Sequence, residues 1–376
     1  MNREQEAIKI LELVLNGTSE KINNLSASNE QRHFFTVPGQ GNLRWIIPDD
    51  PRLGIPVLSQ WRPYKPWSCI KWKFILLLYS ARLLKKLPGI GTLKLNPDKI
   101  CIHNDKSRQK MVPVVYVGTP GPHQKIVATF MNPVSAMPVN VMKLALKKTA
   151  RENIIREAEM LKKMAVLNHP GIPKLISIEN KGAKTVQTVI NGYLTSRKLT
   201  NAHIDWLLKL PRFETTTTID EQKQIIQELI TINRHSHLSE MERTSVIRAA
   251  ATLQGKKPIP YLIIHGDFAP WNLKWLAKDK ITAIDWEDSH EDGLPLWDLS
   301  HFFCIQSHLF GGPDPFKKLN NCPLVTLYIK KMDLNHNDIR PLYILYLIKK
   351  IMSSTLLPIH SYRVFLLNQI HRISQQ

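Results

Sequence analysis

Asp267, Asn272 and Asp285 are the side chains in this chain whose types and spacing could move a phosphoryl group. An aspartate can take the proton of an attacking hydroxyl, while an asparagine and a second aspartate can hold magnesium against nucleotide phosphates. All three lie in IHGDFAPWNLKWLAKDKITAIDWED, from Ile264 to Asp288, together with His265. The apolar pair Ile263-Ile264 predicts a buried approach to a turn, and the alternation in KITAIDW predicts a strand that delivers Asp285 to its end. His, Asp and Asn also cap helices and organise turns, so none of them alone establishes chemistry.

HGDFAPWN followed by IDWED, with eighteen residues from Asp267 to Asp285, resembles the catalytic and metal-binding loops of the aminoglycoside phosphotransferase-like family. These are small-molecule relatives of the protein kinases. The resemblance implies Asp267 as catalytic base, Asn272 and Asp285 as magnesium ligands, His265 as a loop organiser and ATP as phosphoryl donor. Asp298, in PLWDLSHF, matches the family's later structural aspartate. Trp286 and Glu287 depart from the DFG motif of protein kinases, which agrees with the small-molecule branch. Six carboxylates between Asp285 and Asp298 fit either bound divalent cations or a solvated loop.

Upstream, Val112–Val117 and Ile126–Phe130 are expected strands around a turn containing Gly118, Pro120, Gly121 and Pro122. That turn is similar to the nucleotide-covering loop of the kinase fold, where Gly118 and Gly121 let backbone approach phosphates. It has neither Rossmann nor Walker A spacing. VNVMKLAL, from Val139 to Leu146, reads as a strand interrupted by Lys143. A lysine within an apolar strand needs a partner. The resemblance gives Lys143 the role of phosphate contact and pairs it with Glu157 of the helix expected over residues 152–167, in preference to Glu159. It also puts Ile190, Asn191 and Gly192 at the adenine-binding hinge.

A length of 376 residues, 43% of them hydrophobic and 22% charged, describes a globular chain with two or three hydrophobic units. The four cysteines form no CxxC pair, which fits a reducing cytoplasmic setting, and MNREQEAIKI is too polar for a secretory signal. The formal charge of +20 comes without any zinc-finger spacing or aromatic-basic repeat, so no nucleic-acid partner is expected.

The first residues predict a short amphipathic helix ending near Gly17, and the proline-rich stretch from Asn42 to Pro66 predicts extended pieces and turns in place of a continuous helix. Residues 69–87 predict a helix with a basic rim. Between Lys65 and Lys86 stand six Lys or Arg residues and no acid. Such a helix either packs on another part of the protein or lies at an anionic membrane surface, giving a peripheral location at the inner face. Its apolar run is too short to span a bilayer.

Residues 195–255 are expected to be mostly helical, with Thr218 or Asp220 as a cap. His235 and His237 are two apart, a poor arrangement for a metal on a helix. RPLYILYLIKKIMSSTLLP reads as a core helix broken near Pro358, and HRISQQ as a frayed end.

The expected fold is α+β, protein-kinase-like and bilobal. An extension covers residues 1–109, a nucleotide-binding lobe 110–192, and a catalytic and substrate-binding lobe 193–376. The expected activity is ATP- and magnesium-dependent transfer to a hydroxyl of a small molecule: a sugar, aminoglycoside, amino alcohol or polysaccharide precursor. A nucleotide-binding pseudokinase acting through protein contacts, or a peripheral membrane module, are the alternatives.

Overall fold

A computed structural model describes residues 3–16, 32–39, 43–61, 63, 66–95, 102–103, 110–169, 171–232, 238–353 and 360–375. They form two units, Met1–Ala165 with Ile172–Tyr193, and Val166–Gly171 with Leu194–Gln376. One is built on a large sheet and the other is mainly helical, the α+β bilobal organisation expected of a protein-kinase-like chain.

The first unit contains strands β1 (Arg32–Val37), β2 (Trp45–Pro48), β3 (Gly91–Leu95), β4 (Ile102–His103), β5 (Lys110–Val117), β6 (Lys125–Met131), β7 (Pro138–Ala145), β8 (Leu175–Glu179) and β9 (Lys184–Thr188). Eight run in the order β3-β1-β2-β5-β6-β7-β9-β8, with β4 added to β5. β1, β2 and β3 thus extend the sheet that carries Lys143. Trp45 opposes Tyr116, so the aromatic segment after Asn42 joins β5 directly. The sheet's helices are α1 (Arg3–Asn16), α2 (Pro51–Leu58), α3 (Pro66–Ser80) and α4 (Lys148–Val166). Ala7, Ile10, Leu11 and Val14 of α1 recur at three and four residues and are buried in this unit's core.

Two expectations in this unit need correction. The proline-rich stretch contains a helix, α2, because Asp50 caps it by accepting from the Arg52 N–H and Pro51 occupies the first turn, where no amide donor is needed. The basic helix ends at Ser80, not near residue 87. Arg82 adopts a left-handed φ of 58°, and the Leu83 and Arg82 N–H groups turn back to the carbonyls of Leu78 and Tyr79, closing the helix as a left-handed C-terminal cap does.

The second unit holds α5 (Asn201–Leu207), α6 (Ile219–Thr231), α7 (Glu240–Ala251), α8 (Trp297–Phe310), α9 (Pro315–Asn320), α10 (Pro323–Lys331), α11 (Ile339–Ser353) and α12 (His360–Ser374). Its strands form two three-stranded sheets. One is β10 (Tyr193–Leu194), β13 (Leu273–Ala277) and β14 (Lys280–Ala283); the other is β11 (Arg212–Thr217), β12 (Ile259–Ile264) and β15 (His290–Gly293). α11 is buried along nearly its whole length, as expected of a core helix. The break expected near Pro358 lies outside the described residues, as do Gly17, His235 and His237.

Here too the expectations need amending. RFETTT is a strand, β11, because its run of β-branched threonines pairs with β12 within a stretch otherwise helical. Thr218 then caps α6 in a reciprocal box with Glu221. Residues 371–374, expected to fray, continue α12: Ile373 is buried, and Arg340 donates to the Ile373 carbonyl at 2.9 Å. Among the described residues no helix is long and apolar enough to cross a membrane.

α12 is tied to α7 by an ion pair between Arg363 and Glu242. Burial opposes the charge on Glu242, but hydrogen bonds from Arg363 and Ser239 hold its carboxyl down at about 2. A carboxyl depressed in the folded state adds stability that is complete above its unfolded value of 4.5 and is lost as pH falls toward about 2. Glu242→Gln should therefore be less stable than wild type at neutral pH, and the gap should close between these two values in urea melts across that range.

Candidate active site

The turn after β12 owes its shape to two groups. Asp298, buried on the first turn of α8, accepts the backbone N–H of His265 through Oδ2 and of Gly266 through Oδ1, each at 2.9 Å. Gly266 has φ of 80°, and a Cβ there would stand 2.0 Å from the Asp288 carbonyl oxygen. Only glycine fits, so the HGD sequence is a steric requirement as well as a motif. His265 is fully buried beside Trp286, with ring centroids 4.9 Å apart. Its Nε2 lies 3.0 Å from the Ile284 carbonyl; since a carbonyl only accepts, Nε2 carries the proton. His265 thereby fastens the turn to the chain just before Asp285.

Asp267 leaves this turn with both carboxylate oxygens engaged. His301 Nε2 donates to Oδ1 at 2.8 Å, and Asn272 Nδ2 donates to Oδ2 at 2.7 Å and to the Asp267 carbonyl at 3.0 Å. Desolvation works against the charge on Asp267, but the hydrogen bond from His301 and the charges of His301, Lys350 and His265 hold its carboxyl below the ordinary carboxylate range. Behind it His301 Nδ1 meets the Tyr346 hydroxyl at 3.1 Å, which meets Tyr362 at 3.1 Å. Burial raises both phenols well above their usual range, so neither competes for the charge.

Asn272 and Asp285 are brought to one end of a hairpin. β13 and β14 pair Leu273 with Ala283, and the Ile284 N–H donates to the Asn272 carbonyl at 2.8 Å. The next residue, Asp285, has φ of 67°, an unusual conformation for a non-glycine residue. Trp286 and Ser289 close the following turn, Trp286 Nε1 donating to the Ala283 carbonyl at 3.2 Å. With the Asn272 amide nitrogen committed to Asp267, its amide oxygen and the Asp285 carboxylate are the hard-oxygen groups at this end of the hairpin that could hold magnesium.

The neighbouring carboxylates disperse. Asp298 holds the turn, Asp292 pairs with His290 and Asp288 lies 3.5 Å from Lys350. Among the described residues no three His, Cys, Asp or Glu side chains converge on a metal site. One carboxylate and one amide match a magnesium ion that draws its remaining ligands from phosphates and water.

In the first unit, Lys143 of β7 and Glu157 of α4 form a buried ion pair at 2.7 Å. Glu159 is exposed. One turn before Glu157, Asn153 lies 3.2 Å from His123 Nδ1, tying α4 to the β5–β6 connection that holds Gly118 and Gly121. A Cβ on Gly118 would come within 2.8 Å of the Lys125 carbonyl oxygen, while Gly121 has φ of 151° and open space around it. Ile190, Asn191 and Gly192 lie in the irregular connection between β9 and β10, at the end of the first unit just before the chain enters the second at Leu194.

His301 and Lys350 escaped the sequence reading. The signal for His301 was present: it follows Asp298 by three residues, so on a helix the two share a face. Lys350, whose Nζ donates to the Gly266 carbonyl at 3.3 Å, sits 84 residues away on α11 and carried no local mark.

Removing one member of a buried ion pair leaves an uncompensated charge at a cost of about 3–5 kcal/mol, whereas replacing both with apolar residues of similar size is often neutral. Glu157→Leu should lower stability by about that amount, and the double variant Lys143→Met, Glu157→Leu should recover most of it in chemical denaturation.

Residues 110–315 match the model of a phosphotransferase enzyme family, leaving residues 1–109 and 316–376 outside the match. No curated protein matches the chain in sequence. A thermostable mutant of aminoglycoside phosphotransferase APH(4)-Ia aligns with 71% of this chain and 95% of its own, at 12% identity and a TM-score of 0.45. A putative fructosamine-3-kinase from Thermobifida fusca covers 71% and 95% at 12% identity and 0.46. Choline kinase from Streptococcus pneumoniae covers 67% and 89% at 15% identity and 0.44. With the family model covering more than half of its length, the chain belongs to the phosphotransferase enzyme family.

Proposed function

We propose that this protein transfers the γ-phosphoryl group of ATP to a hydroxyl of a small molecule, with Asp267 as the base. The observation that supports this reading most directly is the setting of Asp267: a carboxylate hydrogen-bonded by His301 on one oxygen and by Asn272 on the other, at the end of the hairpin that leads to Asp285. An ionised carboxylate within hydrogen-bond reach of an acceptor hydroxyl takes its proton as the oxygen attacks.

Asn272 and Asp285 are the residues that would hold magnesium, whose charge, when bound, offsets that of the nucleotide phosphates. Lys143, fixed by Glu157, orients those phosphates, and the connection bearing Gly118 and Gly121 lets backbone amides approach them. Ile190, Asn191 and Gly192 supply backbone hydrogen bonds to the adenine. His265 and Asp298 shape the turn without touching the reacting atoms. Catalysis of this type rests on positioning and electrostatics, so the acceptor class is left to other residues of the second unit. Sugars, aminoglycosides and amino alcohols are the acceptors to test.

Incubation with ATP, magnesium and a panel of such alcohols, with mass detection of an added phosphoryl group, tests the activity. Asp267→Asn should lower the rate by a factor on the order of 10²–10⁴, and Asp285→Ala should be equally damaging with little change in unfolding midpoint. Near-normal transfer by Asp285→Ala would overturn its assignment.

The pH profile tests the role of His301. Wild type keeps Asp267 ionised below the ordinary carboxylate range, so its acid limb lies at low pH. His301→Ala removes the main group that lowers this pKa and leaves the desolvation, so its acid limb should move to higher pH. An unmoved limb would assign His301 a purely structural role.

A further inference from the structure

The helix α3 carries apolar side chains on two faces, one packed inward and the other at the surface. Its inner face is fixed. Trp72 donates through Nε1 to the Leu58 carbonyl at 3.2 Å and stacks with Trp45, ring centroids 5.9 Å apart. Tyr79 is fully buried and donates to the Pro48 carbonyl at 2.6 Å. On the outer face Trp67, Ile70, Phe74 and Leu77 are 76%, 58%, 52% and 63% exposed. Their spacings of three, four and three residues set them in one stripe along the helix.

At 3.6 residues per turn, Lys71 and Lys73 fall on opposite flanks of that stripe, and both are exposed. Arg82, Lys85 and Lys86 follow at the helix end, also exposed. From residue 66 to residue 95 there is no aspartate or glutamate. An apolar stripe beginning with a tryptophan and rimmed by cations has the chemistry of a helix lying in the plane of an anionic lipid surface. The apolar side chains enter the acyl boundary, and the lysines reach outward to headgroups.

We propose that the outer face of α3 docks this protein on an anionic membrane surface. A second copy of the chain is a poorer occupant. A two-fold contact through this stripe would set Lys71 and Lys73 against the same residues of the partner, with no acidic group in the segment to pair them. The phospholipid headgroup provides the missing negative charge. The inference rests on α3 alone and is independent of the phosphotransfer reading.

Flotation of the full-length protein tests the proposal, using vesicles of pure phosphatidylcholine and vesicles of equal parts phosphatidylcholine and phosphatidylglycerol. The protein should float with the anionic vesicles, much less with the neutral ones, and less as salt is raised. Lys71→Gln and Lys73→Gln should each weaken anionic-vesicle binding by about fivefold. The double variant Phe74→Ser, Leu77→Ser should weaken it on the order of tenfold or more with an unchanged unfolding midpoint, since both side chains are largely exposed. Three outcomes would overturn the proposal: no flotation with either vesicle, equal binding to both that the lysine variants leave unchanged, or lipid-free self-association in sedimentation velocity that the double variant abolishes.

Discussion

Two hydrogen bonds from successive backbone amides to one buried carboxylate govern the second unit. Asp298 receives His265 and Gly266 on its two oxygens, and hydrogen bonds to a charged group contribute about 1.5–3 kcal/mol each. Because the two acceptors belong to one rigid group, they fix the direction in which the chain leaves β12. Gly266, pressed against the Asp288 carbonyl, admits no other side chain at the bend. The positions of Asp267, of Asn272 through its two bonds to Asp267, and of Ile284 through His265 all depend on this arrangement.

From that turn a line of polar contacts runs outward through the buried core. Asp267 meets His301, His301 meets Tyr346, and Tyr346 meets Tyr362 on the last helix. The half-buried carboxylate of Asp267 has its charge answered at each oxygen, and His301 is held in place by the hydroxyl behind it. This arrangement gives the C-terminal helix a place in the environment of Asp267, 95 residues after that carboxylate. The burial of Ile370 and Ile373 secures the helix that carries Tyr362.

The first unit solves a different problem, that of holding an ammonium inside a sheet. Lys143 is buried with Glu157, and α4, which carries Glu157, also reaches the β5–β6 connection through Asn153 and His123. β1, β2 and β3 continue the same sheet through residues outside the family match, and the Trp45, Trp61 and Trp72 cluster anchors α2 and α3 beside it. The packing reading of the basic helix holds for one of its faces. Trp72 and Tyr79 make it a packed helix on one side, while Trp67, Ile70, Phe74 and Leu77 remain at the surface on the other.

What the sequence determined by itself was local. The apolar runs of β5, β6 and β7 with the glycine-proline turn between the first two, a helix cap at Thr218 or Asp220, and the HGD…N…D spacing all reflect contacts within a few residues or a motif compact enough to read in line. The family, the α+β class and the lysine needing a partner followed from these. Tertiary structure decided the rest. β11 is a strand because β12 lies beside it, and α3 stops at Ser80 because Arg82 turns left-handed. Asp288, Asp292 and Asp298 of the acidic run separate because each meets a different neighbour. His301, Lys350 and Tyr362 surround Asp267 or its turn only through packing of α8, α11 and α12, and side chains 34 to 95 residues from Asp267 leave no periodic trace in the chain.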